Sequence, residues 1–229
     1  MANAQEIAQL IKKAQGLVFM TGAGVSTASG IPDYRSMDGI YTKSGLKQPE
    51  YLLSHQALLH DTEDFYRFIK QIYHPEAEPN LIHKAMAKLG GIVITQNIDG
   101  LHKKAGSPDV VEFHGTIATS HCEKCGQAAS YEDFLRSYIH EGCGGIIRPD
   151  VVLYDEQIDP EAISRAVAAL AAADTVVIVG TTFKVYPFAG LIDDAGEQAK
   201  ILAVNKDRIA LPYLTESFVG EAEEVFKLL

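Results

Sequence analysis

The stretch Phe19–Ser36, FMTGAGVSTASGIPDYRS, places a glycine turn, Gly22–Gly24, directly after an apolar run. The charged pair Asp33 and Arg35 follows a few residues later. A strand that leads through a glycine turn into a helix presents backbone N–H groups to an anion. A tight turn without a ligand is equally compatible with a lone Gly-x-Gly, so the turn alone leaves both interpretations open.

The turn lacks two features of the common dinucleotide fingerprint. That fingerprint, G-x-G-x-x-G, needs a third glycine where this chain has Thr27. It also needs an acidic residue at the end of a second strand, about 20 residues further on, and none stands there. The sequence therefore disfavours an ordinary nicotinamide dehydrogenase, whereas a pyrophosphate site remains compatible with the turn.

A second polar group follows the apolar run Ile92–Thr95 and consists of Gln96, Asn97 and Asp99. Amide side chains offer a donor and an acceptor on one plane, which suits ribose hydroxyls or a carboxamide, although such residues are more often turn residues. His114 follows in VEFHG and is one of eight histidines. Histidine can take a proton near neutral pH, so His114 is a candidate general base.

The three cysteines of the chain, Cys122, Cys125 and Cys143, lie in one short segment. An odd number of cysteines disfavours a disulfide framework and favours metal binding or reactive thiols. Cys122-x-x-Cys125 places two thiolates on one tight turn, which is half of a tetrahedral zinc site.

Composition limits the possible classes of protein. The chain has 229 residues, a net charge of −10 and 47% hydrophobic residues, enough for a sizeable core. The negative charge argues against sequence-independent nucleic-acid binding. No apolar run approaches the roughly 18–20 residues that span a bilayer, and the N-terminal residues lack the apolar stretch of a signal peptide. We therefore expect a soluble, cytoplasmic protein.

The apolar pattern predicts an α/β fold with a parallel sheet that has helices on both faces. Predicted strands are Leu17–Met20, Ile92–Thr95, Val110–Glu112, Thr175–Val179 and Lys200–Val204. Predicted helices are Ala4–Ala14, Tyr131–Tyr138, Pro160–Ala172 and Gly220–Leu229. Ligands of such sheets bind beyond the strand carboxyl ends, where several polar clusters of this chain fall.

Five segments in the same order resemble the sirtuins, and together they span nearly the whole chain. They are GAGVSTASGIPDYRS, TQNIDGLH, FHG, GTTFKVYP and AVNKD. The resemblance implies a Rossmann-like large domain that binds NAD as a consumed cosubstrate. It assigns NAD contacts to Gly22, Ala23, Gly24, Asp33, Tyr34, Arg35, Gln96, Asn97, Asp99, Gly180, Thr181, Thr182 and Asn205.

The sirtuin resemblance explains the charged pair, because in that family the Asp–aromatic–Arg loop closes over the nicotinamide ribose. It also implies a protein-lysine deacylase in which His114 and Asn97 are catalytic. The products would be free lysine, nicotinamide and O-acyl-ADP-ribose. A protein ADP-ribosyltransferase or NAD hydrolase on the same scaffold is the alternative. A non-enzymatic NAD-responsive module is a third reading, which the intact His114, Asn97 and Asp99 disfavour.

The family pattern adds a second C-x-x-C, whose first position here holds His140 and whose second holds Cys143. Cys122, Cys125, His140 and Cys143 would form a structural Cys3His zinc site. His121 is a poorer fourth ligand because it adjoins Cys122. The alternative is a module that has lost its metal and is held by packing.

On the substrate side, the resemblance places an acylated-lysine peptide against RPDVVLYDE, with Val151, Val152, Leu153 and Tyr154 as contacts. Asp155 stands where the family has glycine. Sirtuins that remove acidic acyl groups carry a Tyr-x-x-Arg pair, and here Ile69 follows Tyr66 at the arginine position. We therefore expect acetyl or longer neutral acyl groups.

The resemblance also predicts a division into two domains. Residues 1–35, 89–118 and 150–229 would form the NAD-binding large domain. Residues 36–88 and 119–149 would form a small domain with a helical and a zinc-binding module. NAD and the acyl-lysine would meet in the cleft between the domains. The sequence does not predict an oligomeric state.

Overall fold

A computed structural model describes residues 2–32 and 49–229 of the chain. Its α-helices are α1 Ala4–Lys13, α2 Pro49–Leu52, α3 His55–His60, α4 Thr62–Ile72, α5 Leu81–Leu89, α6 Leu101–Lys104, α7 Tyr131–Arg136, α8 Pro160–Ala172 and α9 Ala222–Phe226. Its strands are β1 Leu17–Thr21, β2 Ile92–Thr95, β3 Asp109–Glu112, β4 Gly115–Cys122, β5 Ala128–Ala129, β6 Ile147–Val151, β7 Thr175–Val179, β8 Lys200–Asn205 and β9 Glu216–Val219. Among the described helices, none has the length and apolar character that crossing a membrane requires.

Six strands form one sheet in the order β3-β2-β1-β7-β8-β9, and every neighbouring pair is parallel. β1 and β7 lie at its centre, and all their residues are buried. A strand with both faces covered has no polar alternation, which is why these strands read as continuous apolar runs. The predicted parallel α/β sheet is confirmed.

Alternate residues of the central strands enter two separate cores. On one face Val18, Met20 and Ile178 pack against α8 and the 3₁₀ segment Phe188–Asp194. The sheet's other face packs against α1, α5 and α9, through β-strand residues such as Phe19 and Val177. The sheet is therefore a layer between helices, and the loops at its strand ends are left to bind ligands.

The helices begin where the sequence supplies caps. Asn3 forms a capping box with Glu6 at the start of α1, and Asp159 accepts from the Glu161 N–H at the start of α8, with Pro160 as its first residue. Asn80 caps α5 and also donates to the Val25 carbonyl. The cap of α5 thus ties this helix to the glycine turn.

A second, three-stranded sheet has the order β5-β4-β6 and is antiparallel. It shares a core with α3, α4 and α7, to which Phe65, Ile117 and Phe134 contribute. The sequence pattern did not predict β4 and β6. Their pairing changes register between Gly115 and Ser120, so β4 lacks the strict alternation by which a half-buried strand is recognised.

Two further local features were not predicted from the sequence. The glycine turn leads within the described residues into two 3₁₀ turns, Ala23–Val25 and Thr27–Ser29, and not into an α-helix. Serine and threonine compete for backbone hydrogen bonds, and Gly30 ends the second turn with a φ of 82°. The edge strand β9 was also not predicted, because its sequence ESFV is short and half polar.

Candidate functional site

The glycine turn lies directly against the loop that follows β7. The Gly24 N–H donates to the Gly180 carbonyl at 2.8 Å, and the Gly22 N–H donates to the Val179 carbonyl at 3.2 Å. A Cβ on Gly24 would stand 2.8 Å from the Gly180 Cα, and one on Gly22 would stand 2.7 Å from the Thr181 Cβ. Only glycine allows these two loops to approach so closely, so the backbones at two strand ends are brought together.

Asn97 connects the end of β2 to this turn. Its Nδ2 donates to the Gly22 carbonyl and to the Ser26 Oγ, both at 3.1 Å. The Ser26 hydroxyl in turn donates to the Asp99 Oδ2 at 2.7 Å. The amide of Asn97 and the carboxylate of Asp99 are therefore held in fixed orientations by one serine hydroxyl.

Two buried histidines, His83 and His102, lie beneath this network with ring centroids 4.7 Å apart. The His102 Nε2 bonds to the Thr21 hydroxyl at 3.0 Å, and the His83 Nε2 lies 3.4 Å from the Ser26 Oγ. Burial lowers the pKa of His83 to about 4 and that of His102 to about 3. Both rings are therefore neutral at physiological pH.

His114 precedes β4 and lies between the two sheets. Its Nδ1 is 3.2 Å from the main-chain carbonyl oxygen of Gln96, which can only accept a hydrogen bond. The neutral ring therefore carries its proton on Nδ1, and the lone pair is on Nε2. The rings of Phe113 and Phe188 pack against the imidazole and orient it.

These groups open into one cavity of about 740 Å³. Nine of the sequence-predicted site residues line it: Ala23, Gln96, Asn97, Asp99, His114, Val151, Val152, Leu153 and Tyr154. Val185, Tyr186 and Pro187, which follow β7, also line it. The cavity therefore joins a polar end beside the glycine turn to an apolar wall formed by the segment after β6.

The other predicted site residues occupy related positions. Gly22 and Gly24 pack against Gly180 and Thr181, as described above. Thr182 is exposed in the same loop, and Asn205 ends β8 and donates to the Asp207 carbonyl. The predicted contacts Asp33, Tyr34 and Arg35 lie outside the described residues. Sequence reasoning missed Ser26 and His83, because a serine in a glycine-rich turn and a histidine on a helix carry no pattern of their own.

A cluster of four metal-ligating side chains lies at one end of the three-stranded sheet: Cys122, Cys125, His140 and Cys143. Their ligand atoms all lie within 4.8 Å of one another. The Sγ atoms of Cys122 and Cys143 are 3.4 Å apart, and the His140 Nδ1 is 3.2 Å from the Cys143 Sγ.

The donor set and its spacing fit zinc. Metal–ligand bonds of about 2.0–2.3 Å in a tetrahedron separate the ligand atoms by rather less than 4 Å. Gly145 closes the cluster, since a Cβ there would stand 2.6 Å from the Cys122 Sγ. His121 bonds through Nδ1 to Asp150 and is not part of the cluster.

The comparisons with known proteins agree with this geometry. The model of the Sir2 family matches residues 22–187. The chain belongs to the Sir2 family. It is 52% identical over 223 residues to the NAD-dependent protein deacetylase of Listeria monocytogenes serotype 4b (strain F2365), covering 95% of this chain and 96% of that protein. The corresponding enzyme of Enterococcus faecalis is 48% identical over 216 residues, with 93% and 90% covered.

Solved sirtuin structures share the fold along almost the whole chain. A Sir2–p53 peptide–NAD⁺ complex has a TM-score of 0.84 at 30% identity and covers 99% of this sirtuin and 96% of that chain. A Sir2 homologue in complex with NAD has a TM-score of 0.86 at 31% identity, covering 98% and 91%. The predicted family and fold class are thereby confirmed.

Proposed function

We propose that this sirtuin is an NAD-dependent protein-lysine deacetylase that releases nicotinamide and O-acetyl-ADP-ribose. The observation that carries the proposal is that His114, Asn97 and Asp99 line the same cavity as the apolar segment Val151–Leu153. A polar end suited to a dinucleotide and an apolar wall suited to a lysine stem thus meet at one histidine. The names of the Listeria and Enterococcus relatives support the same activity.

The loop contact between Gly22, Gly24 and Gly180 fits the pyrophosphate of NAD. The N–H groups of these three glycines bond to main-chain carbonyls, so it is the lack of side chains here that would let phosphate oxygens approach the backbone closely. Thr181, Thr182 and Asn205 would continue this surface toward the adenosine half. Gln96, Asn97 and Asp99 would hold the nicotinamide ribose and carboxamide, with Asn97 kept in orientation by Ser26.

Bound NAD supplies an anomeric carbon that the acyl oxygen can attack as nicotinamide leaves. His114 acts as the general base of the following step, because the Nε2 lone pair of its neutral tautomer can accept a proton from a ribose hydroxyl. The Gln96 carbonyl fixes that tautomer and stabilises the Nδ1–H when the ring becomes charged. Asp99 and Asn97 hold the sugar hydroxyls at the histidine.

The acyl-lysine substrate would lie along the segment after β6. The Val152 N–H donates to the His114 carbonyl at 3.0 Å, so the apolar wall and the base are fixed to each other. An extended peptide would lie between Leu153–Asp155 and Val185–Tyr186. The backbone groups of Leu153 and Tyr154 already bond within the protein, so strand-like pairing, which makes few demands on sequence, would be left to Asp155 and to Val185–Tyr186.

The structure supports neutral acyl groups. Ile69 is fully buried in the core of α4, and the Tyr66 hydroxyl donates to the Phe134 carbonyl. Arg67 is exposed and pairs with Asp64. None of the three lines the cavity. A buried acyl carboxylate would lack a cation on this helix, and such burial is costly.

The zinc ion would hold the β4–β5 turn to the segment before β6, outside the cavity that His114 lines. All three cysteines are free thiols. Free thiols at a metal site are typical of a reducing compartment, which supports a cytoplasmic location.

The test is mass spectrometry of a reaction that contains an acetyl-lysine peptide and NAD. We expect equal amounts of deacetylated peptide and O-acetyl-ADP-ribose. His114→Ala should abolish both products, whereas the control His60→Ala, at an exposed histidine outside the cavity, should retain them. Nicotinamide release with an unchanged acetyl group, or ADP-ribose attached to protein, would refute the deacetylase and favour the transferase or hydrolase.

A further inference from the structure

Residues Leu153–Glu156 form a tight turn at the mouth of the cavity. The Glu156 N–H donates to the Leu153 carbonyl at 3.1 Å, and Asp155, the third residue, has a φ of 74°. A type II turn requires positive φ at its third position, where glycine or asparagine is usual. Within residues 2–32 and 49–229, Asp155 and Phe183 are the two non-glycine residues with positive φ. Strained backbone of this kind concentrates at functional sites.

The turn is held rigidly by its neighbours. The Glu156 carboxylate accepts from the Leu153 N–H at 2.9 Å and pairs with the guanidinium of buried Arg148. Next along the turn, the N–H and carbonyl of Tyr154 bond to Leu53 and His55. These bonds hold the backbone of the turn in place, so Asp155 keeps its positive φ and a fixed position.

The Asp155 carboxylate has no counter-ion in the described part of the chain. It is exposed and lines the cavity, yet no described side chain forms an ion pair with it. Of two cations on the elements around the turn, Lys104 lines the cavity and pairs with Glu78 at 2.9 Å, and Arg148 pairs with Glu156. A negative charge is thus displayed where a bound peptide would leave the cavity.

Two exposed aromatic rings accompany this charge. Tyr154 is 47% exposed and adjoins Asp155, while Tyr186 lines the same cavity and is 77% exposed. The Tyr186 ring packs over Gly190, where a Cβ would stand 3.3 Å from its Cε1. Aromatic faces beside a carboxylate attract a cation through both the ring quadrupole and the charge.

We propose that Tyr154, Asp155 and Tyr186 form a subsite for a basic side chain that flanks the acyl-lysine of the substrate. This inference rests on the proposed deacetylase function and names the class of sequence that the enzyme prefers. An arginine fits best, because its planar guanidinium can stack on a ring and bond to the carboxylate at once.

The test compares acetyl-lysine peptides that carry arginine, glutamine or glutamate at each flanking position in turn. At low salt we expect, for one or two positions, a kcat/KM for the arginine peptide about three-fold above that for glutamine, as an exposed ion pair allows. The advantage should shrink at high salt. Asp155→Asn, which tolerates positive φ, should remove the difference between arginine and glutamate, and so should Asp155→Gly.

Two further variants separate the contributions. Tyr186→Ala should reduce the preference for arginine, and Tyr186→Phe should keep it. Glu197→Gln, at an exposed carboxylate outside the cavity, makes the same change in net charge and should leave the preference as it is. Turnover with an equal preference in wild type and Asp155→Asn would overturn this inference alone. No deacetylation of any peptide by the wild type would overturn the proposed function with it.

Discussion

At the scale of single residues, a substitution of Asn97 tests whether its side chain serves ligand binding or only folding. Its two amide N–H bonds reach the Gly22 carbonyl and the Ser26 hydroxyl, so its orientation is set before any ligand arrives. We predict that Asn97→Ala lowers kcat/KM for NAD by about 100-fold, the usual loss for one preorganised polar group.

Asn3 provides the matched control for Asn97. It caps α1 and does not line the cavity. Asn3→Ala should therefore cost about 1 kcal/mol of unfolding free energy, measured in urea, and leave kcat/KM for NAD unaltered. Equal effects of the two substitutions on kcat/KM would contradict a specific role of Asn97.

The residues proposed for the chemistry, such as Asn97 and His114, belong to recognisable segments of the sequence, and the structure places both at one cavity. The sequence did not predict the residues that hold them. Ser26 and His83 are 57 positions apart and meet only because α5 packs beneath the glycine turn. Contacts of that kind depend on tertiary packing, and no local periodicity in the sequence predicts them.

At the scale of elements, the contact between the glycine turn and the loop after β7 tolerates no side chain. A Cβ at position 24 would stand 2.8 Å from both the Cα and the carbonyl oxygen of Gly180. We predict that Gly24→Ala separates the two loops and lowers the free energy of unfolding by about 1–3 kcal/mol, as overpacking does. Calorimetric titration should show weaker NAD binding. At Gly196 the nearest atom would be 3.3 Å away, so Gly196→Ala should have a smaller effect on both quantities.

The cysteine cluster joins the β4–β5 turn to the segment before β6. The two segments also bond directly, the Glu123 N–H to the Ile146 carbonyl at 2.8 Å and the Lys124 Nζ to the Cys143 carbonyl at 3.0 Å. We predict one equivalent of zinc per chain by elemental analysis. His140→Ala should lower the zinc content and the melting temperature, while His140→Cys should retain both, since thiolate and imidazole both suit zinc.

An activity measurement completes the zinc prediction. Because the cluster lies outside the cavity, His140→Cys should keep the wild-type kcat. A chelator should unfold the module, and zinc should restore it. Full zinc content in His140→Ala would contradict the proposed ligand set.

The predicted bounds were accurate for two strands of the parallel sheet and for the long helix α8. The strands Ile92–Thr95 and Thr175–Val179 and the helix Pro160–Ala172 have the bounds that the sequence predicted. The antiparallel strands β4 and β6 were missed, because their register shift and mixed exposure leave no clear period. Local pattern therefore predicts the NAD-binding sheet better than the module that faces it.

At the scale of the whole molecule, the cavity lies where the two sheets meet. Val151 ends β6 of the small sheet, and its neighbour in the antiparallel ladder is Gly115, one residue after His114. We propose that a large and a small domain meet at this junction, with α5, which the sequence assigned to the small domain, packed on the large sheet. A hinge there would let the peptide enter while the glycine turn stays in place.

The buried histidine pair should make the stability of the whole molecule depend on pH. Both pKa values are lowered by burial, to about 4 for His83 and about 3 for His102, from an unfolded value of about 6.5. As the pH falls below about 6.5, the unfolded chain therefore binds protons at these histidines that the folded chain does not bind. Their full contribution to stability is present above that pH and is lost as the pH decreases.

We predict that, for each histidine, the free energy of unfolding falls by about 2 kcal/mol as the pH decreases from 7 to 5. Urea titration at several pH values measures this change. Carboxylates with lowered pKa values, such as Glu156 and Asp174, lose their contributions mainly below this window. His102→Gln and His83→Gln should each flatten the slope by roughly half, whatever their stability at pH 7. A slope that neither substitution changes would mean that the histidines are charged in the folded protein. Such charges could not be accommodated beneath the Ser26–Asp99 network without a rearrangement of the cofactor site.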